Sequence, residues 1–215
     1  MKTGKGDNNR HPHRGLHLAN EYFIMRHGQS EANIGRFICS SPVDGLDSCG
    51  LTPEGERQAR EAALNFFPAI RRVVVYSSDF LRARQTAETI AECIRVEHIK
   101  LTPLLRERFF GEFDRGDDRL YAEVWKADRG NPDNEAAGVE SPAAVRKRAL
   151  AAIRACEREF SGSTILLVSH GDILQILFAT FLGLSPDRHR EIIPITNAEI
   201  RRLVPSENVH LEELE

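Results

Sequence analysis

Short runs of β-branched and other apolar residues recur along the chain, and each ends abruptly in a polar cluster. Tyr22-Phe23-Ile24-Met25 runs into Arg26-His27-Gly28, Val73-Val74-Val75-Tyr76-Ser77 into Ser78-Asp79-Phe80-Leu81-Arg82, and Thr164-Ile165-Leu166-Leu167-Val168 into Ser169-His170-Gly171. A helix-like stretch follows each cluster. Such alternation predicts an α/β fold, a three-layer sandwich whose mostly parallel central sheet is flanked by helices, with ligands bound beyond the carboxyl ends of the strands.

The helices are bounded by recognisable signals. Thr52-Pro53 supplies an N-cap and a proline at the first helical position, Leu51, Ala59, Ala62, Ala63, Phe66 and Phe67 an apolar stripe, and Pro68 a stop. Phe80, Ala83, Ala87, Ile90, Ala91 and Ile94 recur at spacings of three and four, with Arg82 in the first turn. A cation there opposes the helix dipole, and a bound anion would turn that local cost into attraction. Ser141-Pro142 opens a further helix with Val145, Ala149, Ala152, Ile153, Cys156 and Phe160 facing inward. Its trio Arg146, Lys147 and Arg148 reads as a solvated face balanced by Glu157 and Glu159. The helix after His170 is apolar nearly all round and is expected to be buried. Residues 192–203 read as a terminal strand region, and the span between Glu107 and Ser141 as a helical and loop insertion.

With 215 residues, 41% of them hydrophobic, the chain can bury one substantial core. A single domain over 20–215 is expected after a disordered polar tail at 1–19, whose His11, His13 and His17 read as solvated. A net charge of −3, with basic residues interspersed, argues against a nucleic-acid or anionic-membrane partner. Cys39, Cys49, Cys93 and Cys156 form no CxxC pair, which fits a reducing compartment. No run approaches the length of about eighteen apolar residues that marks a membrane span, so a cytoplasmic location is expected. Oligomeric state is left open.

The polar clusters bring two arginines and two histidines, Arg26, His27, Arg82 and His170, to one mouth of the predicted sheet. Arginine offers a fixed fork of donors that matches phosphate oxygens, and like-charge repulsion helps keep a neighbouring imidazole neutral. A neutral imidazole can attack phosphorus, so the set describes a pocket for a phosphate dianion. Phe37, Phe109, Phe110, Phe113, Tyr121 and Trp125 gather near the motif loops, either as ordinary packing or as an apolar substrate mouth.

Over residues 22–204 the chain resembles the histidine phosphatase superfamily, the phosphoglycerate mutase-like proteins. Arg26-His27-Gly28-Gln29-Ser30-Glu31-Ala32-Asn33 is similar to the opening signature, and Leu51-Thr52 with Gly55 and Gln58-Ala59 to the segment that follows. Ser78 to Ala83 with Thr86-Ala87, Leu105-Arg106-Glu107-Arg108 with Gly111, and Ser169-His170-Gly171 are similar to its second-arginine, acid and second-histidine motifs.

The resemblance implies catalysis through a phosphohistidine on His27, whose other ring nitrogen is held by a backbone acceptor. Arg26, Arg82 and His170 would clamp the phosphoryl oxygens, with Asn33 adding a neutral donor and Gly171 completing the phosphate-binding set. Glu107 would be the general acid and then the general base, its carboxyl pKa raised by the bound dianion; the alternative is a loop ion pair with Arg106 or Arg108. No metal or organic cofactor is implied, and the substrate would be a small phosphorylated compound. The compact span after Glu107, without a close counterpart to the paired arginines that hold the carboxylate in phosphoglycerate mutases, favours phosphomonoester hydrolysis. A primed phosphoglycerate mutase and a catalytically silent phosphate-binding or interaction module are the alternatives. The stretch Gly35 to Pro42 departs from the family's glycine-containing turn, and Val139 stands where a second glycine is common.

Overall fold

The computed structural model describes residues 18–66 and 73–206. His11, His13, His17, Phe67 and Pro68, and residues 1–17 of the expected tail, lie outside the described residues. Leu18 already packs against the larger core, and the Ala19 amide donates to Glu157 at 2.7 Å.

Five strands, β1 (Glu21–Arg26), β2 (Val73–Ser78), β3 (Val96–Thr102), β4 (Thr164–Ser169) and β5 (Ile200–Leu203), form one sheet in the order β3-β2-β4-β1-β5. The first four are parallel and β5 runs antiparallel to β1. Seven α-helices accompany the strands among the described residues: α1 (Glu31–Gly35), α2 (Pro42–Gly45), α3 (Pro53–Phe66), α4 (Leu81–Cys93), α5 (Tyr121–Asp128), α6 (Pro142–Glu159) and α7 (Gly171–Phe181). Successive strand residues point to opposite faces and fill two cores. Tyr22, Ile24, Val74, Tyr76, Ile165 and Leu167 pack with α6 and α7. Phe23, Met25, Val73, Val75, Leu166 and Val168 pack with α3 and α4. Both faces of β2 and β4 are therefore buried, which explains why their sequences are apolar without alternation.

This strand order positions the site. β2, β4 and β1 are immediate neighbours, with Arg26 in register with Ser169 and Ser77 with Val168. Three polar clusters far apart in sequence thus leave the sheet side by side.

Local signals hold at some helix ends. The Thr52 hydroxyl accepts from the Gly55 amide at 3.0 Å at the start of α3. The Ser141 side chain makes no cap bond, although Pro142 does open α6. The insertion between Glu107 and Ser141 contains α5 and three 3-10 turns, and Phe110, Val124 and Val139 close with Ile38 into a small core of their own.

Two elements differ from the expectations. β3 is not announced by the apolar pattern, because it is an edge strand whose His98 and Lys100 interrupt a half-exposed Ile99 and Leu101. The expected strand region 192–203 shrinks to β5. The carbonyls of Ile193 and Pro194 accept from Arg201, and that of Ile195 from Arg26, so these residues form a loop beside the site instead of a ladder. Among the described residues no helix is long and apolar enough to cross a membrane.

The turn after β1 meets the first turn of α3 at two glycines. A Cβ on Gly55 would lie 2.0 Å from the Gln29 carbonyl oxygen, and one on Gly28 would lie 2.3 Å from that of Gly55. Backbone on both sides leaves nothing free to yield. Gly55→Ala is expected to destabilise the fold by about 1–3 kcal/mol, despite the better helix propensity of alanine. Urea denaturation measures this, and unchanged or increased stability would refute the close-approach account.

Candidate active site

Arg26 closes β1 with its Nη1 donating to the Ile195 carbonyl at 3.0 Å, while its buried Nε has no hydrogen-bond partner among the described residues. His27 follows, 3% exposed. Its Nδ1 lies 2.7 Å from the Gly28 carbonyl oxygen. An acceptor there requires a proton on Nδ1 and leaves the lone pair on Nε2. Arg82 Nε donates to that Nε2 at 3.1 Å.

Arg82 reaches the ring from the first turn of α4, buried, with Nη2 donating to the Cys39 carbonyl at 2.9 Å. No acidic residue occupies that first turn. Asp79 is held by Arg106 at 2.6 and 2.8 Å, and Glu88 lies 4.0 Å from Arg84, so neither draws Arg82 to the surface. The Cys39 thiol, 3.6 Å from Arg82 Nη1, is pushed up to about 12 by burial and stays protonated, so it offers no rival thiolate.

His170, the N-cap residue of α7, is fully buried, with ring centroid 5.2 Å from that of His27. Its Nε2 shares a 2.9 Å hydrogen bond with the Ser78 hydroxyl, and its Nδ1 has no partner among the described residues. Two buried nitrogens, Arg26 Nε and His170 Nδ1, are therefore unspent in a fold that satisfies most such groups. Burial first, then Arg82, holds both imidazoles well below the ordinary histidine range; Arg26 adds to this at His27, and His27 itself contributes at His170.

Glu107 sits where the loop after β3 passes the start of α7. Its Oε1 accepts from the amides of Arg108 at 2.9 Å and Ile173 at 3.4 Å. The expected alternative of an ion pair with Arg106 or Arg108 does not form. Arg106 is bound to Asp79, and Arg108 is buried in a two-bond pair with Asp128 at 2.6 and 2.8 Å. Burial raises the Glu107 pKa, and the neighbouring Asp172 carboxylate raises it further, before any dianion is present.

The loop carrying Glu107 is held by a residue that the sequence places on a solvated face. Arg148 is turned inward, donating to the carbonyls of Leu104, Arg106 and Glu107 at 2.9, 2.7 and 3.2 Å and to the Glu140 carboxylate at 2.7 and 2.9 Å. Three carbonyls that leave the sheet without ladder partners attract one guanidinium, which a helical-face pattern cannot reveal.

These groups border a cavity of about 450 Å³. Arg26, His27, Asn33, Arg82, Glu107 and Gly171 all line it, whereas the fully buried His170 packs its edge against His27 and does not. Asn33 spends its Oδ1 on the Ser30 amide and hydroxyl and on Asn197, at 3.0, 3.1 and 3.1 Å, which leaves its amide nitrogen for the cavity. A Cβ at Gly171 would lie 3.7 Å from Arg26 Cζ and 3.9 Å from Glu107 Oε2, placing this backbone between them. Of the aromatic group, Phe37, Tyr121 and Trp125 line the cavity. Phe110 and Phe113 are packing residues of the small core, and Phe109 borders a separate groove.

The sequence reading misses Asp172 and Arg190. Asp172 collects Trp125 Nε1 at 2.9 Å and Arg108 at 3.4 Å. Its place two residues after His170 was a usable signal; Arg190, in a 3-10 segment far from any motif, offered none. Among the described residues no cluster of three or more His, Cys, Asp and Glu side chains is arranged to hold a metal ion.

His27 is expected to remain the neutral Nδ1–H tautomer as the pH falls through 6.5, the ordinary histidine value. Nitrogen chemical shifts of the imidazole read this directly, and a protonation midpoint at or above 6.5 would contradict the burial and charge argument.

Residues 22–212 match the family model described as histidine phosphatase superfamily (branch 1). A protein of Cronobacter sakazakii named probable phosphoglycerate mutase GpmB is 34% identical over 188 residues, covering 85% of this chain and 84% of its own. Its namesake from Photorhabdus laumondii is 35% identical over 178 residues, covering 80% and 79%. Among solved structures, Bacillus stearothermophilus YhfR superposes with a TM-score of 0.73 at 21% identity, over 91% of this chain and 100% of that one. A mycobacterial glucosyl-3-phosphoglycerate phosphatase complexed with VO3 gives 0.70 at 22% identity, over 85% and 91%. At such identities these structures show the shared fold, while the family match and the curated relatives show descent: this chain belongs to the histidine phosphatase superfamily, branch 1.

Proposed function

We propose that the chain is a phosphomonoester hydrolase working through a phosphohistidine on His27. The observation that carries this reading is the convergence of Arg26, Arg82 and His170 on a neutral imidazole whose Nε2 accepts from Arg82 and which lines the cavity. In the first step Nε2 attacks phosphorus and the bond to the leaving oxygen breaks. Glu107 delivers its proton to that oxygen. Arg82 passes from the lone pair to a phosphoryl oxygen, and the unspent Arg26 Nε supplies a second donor. With the Ser78 hydroxyl donating to His170 Nε2, the proton sits on His170 Nδ1, in the ring packed against His27. In the second step the Glu107 carboxylate takes a proton from water as its oxygen attacks phosphorus, and the phosphorus–nitrogen electron pair returns to His27 Nε2.

A primed phosphoglycerate mutase is the second reading, favoured by the name borne by the curated relatives. It differs in the acceptor, a hydroxyl of the sugar acid in place of water. Phosphoglycerate assayed with and without a bisphosphorylated primer separates the two. Phosphate release is expected to exceed interconversion, and the opposite ranking would overturn hydrolysis as the main activity.

His27→Ala is expected to abolish turnover of both alkyl and aryl phosphates and any acid-labile, base-stable phosphoryl label on the protein. Equal rates in wild type and variant would remove His27 as nucleophile. Glu107→Gln should lower turnover of an alkyl phosphate by about 10²–10⁴-fold, with a smaller loss for p-nitrophenyl phosphate, whose leaving group needs no proton. Equal losses on the two substrates would argue against the general-acid role.

The depressed His27 pKa and the raised Glu107 pKa also set the pH profile. The active form needs His27 neutral and Glu107 protonated. Activity should therefore persist below pH 6.5 and fall on the alkaline side as Glu107 ionises. A kcat profile at saturating substrate that halves near 6.5 on the acid side would refute this assignment.

A further inference from the structure

The phosphate clamp uses only one end of the cavity. At another part of its wall Arg190 lies flat on Trp125, its Cζ 3.6 Å from the ring centroid, and Trp125 is stacked on Tyr121 at 5.4 Å and 8°. Gln175 accepts from Arg190 Nη1 and fixes its orientation. Asp172 Oδ1 stands 3.8 Å from Arg190 Nη1, an ion-pair separation without a hydrogen bond, and the Asp172 oxygens accept from Trp125 and Arg108. Arg190 is thus a three-quarters-buried guanidinium, 23% exposed, held on an aromatic face, with N–H donors that meet no hydrogen-bond acceptor among the described residues.

The charge count points the same way. Arg26, Arg36, Arg82, Arg119 and Arg190 line the cavity against Glu107, Asp118 and Asp172. Asp118 is bonded to Arg36 at 3.1 Å, and Arg119 is bonded to Asp117 at 2.8 Å, so the rim largely neutralises itself. Arg26 and Arg82 face the phosphoryl group on the reading above. Arg190 has Asp172 at ion-pair distance, but among the described residues Gln175 is the one hydrogen-bond acceptor it reaches.

We propose that Arg190, backed by Trp125 and Gln175, forms a second anion subsite that selects phosphomonoesters carrying a further negative group, a carboxylate or a second phosphate. The planar fork held on an aromatic face suits either group, because both present paired oxygens. This inference rests on the hydrolase reading, which places the scissile phosphate on His27.

The test compares kcat/KM for pairs that differ only in the distal group. 3-Phosphoglycerate against glycerol 3-phosphate tests a carboxylate, and 1,3-propanediol bisphosphate against its monophosphate tests a phosphate. Wild type is expected to prefer the doubly anionic member of at least one pair by tenfold or more, and the pair showing the preference identifies the group. That ratio should collapse in Arg190→Gln and recover in part in Arg190→Lys. Calorimetry with His27→Ala protein measures the same ratios as dissociation constants, independently of turnover and of any folding defect in the Arg190 variants. Equal values within each pair by both measurements, or a ratio that survives Arg190→Gln, would overturn the subsite and leave the hydrolase reading intact. Absence of hydrolysis of every compound by wild type would instead overturn the hydrolase reading, and the calorimetric ratio would then decide the subsite alone.

Discussion

A neutral imidazole held against two guanidinium groups is the constraint around which this protein is organised. Placing His27 beside Arg26 and Arg82 would be ineffective if the ring were protonated, since the lone pair would be lost. Burial and the two cations keep the proton off Nε2, and the Gly28 carbonyl fixes the remaining proton on Nδ1. On the proposed reading the same cations that disfavour protonation would receive a dianion, so one electrostatic arrangement would serve both the resting ring and its target.

Glu107 illustrates the opposite use of burial. Its carboxyl is driven toward the neutral form by burial and Asp172, while Arg108, its neighbour in sequence, is fully committed to Asp128. A buried ion pair of that kind adds little net stability, yet breaking it would leave an uncompensated charge beside the site. Arg148 ties down the backbone on the other side of Glu107. Glu107 is thus located by arginines whose side chains do not bond its carboxyl group.

The polar ends of β1, β2 and β4 were legible because buried parallel strands write themselves as uninterrupted apolar runs, and the change to Arg26-His27, Ser78-Asp79 and Ser169-His170 is abrupt. α3 and α7 were legible through a cap signal and an apolar surface respectively. β3 was not, because an edge strand with one open flank carries charged residues that blur its period. Residues 192–199 carry strand-forming composition but give three carbonyls to Arg201 and Arg26, an outcome set by partners elsewhere in the chain.

By itself the sequence determined the α/β architecture and which polar residues stand at the ends of its strands, because strand burial, helix caps and residue types are local properties. Only the tertiary structure decided that Arg148 turns inward, that Asp172 presses on Glu107, and that Arg190 lies on Trp125 within reach of the same cavity. Those roles arise from distances between segments remote along the chain. Coulombic and hydrogen-bonding energies depend on such distances, and spacing in sequence does not encode them.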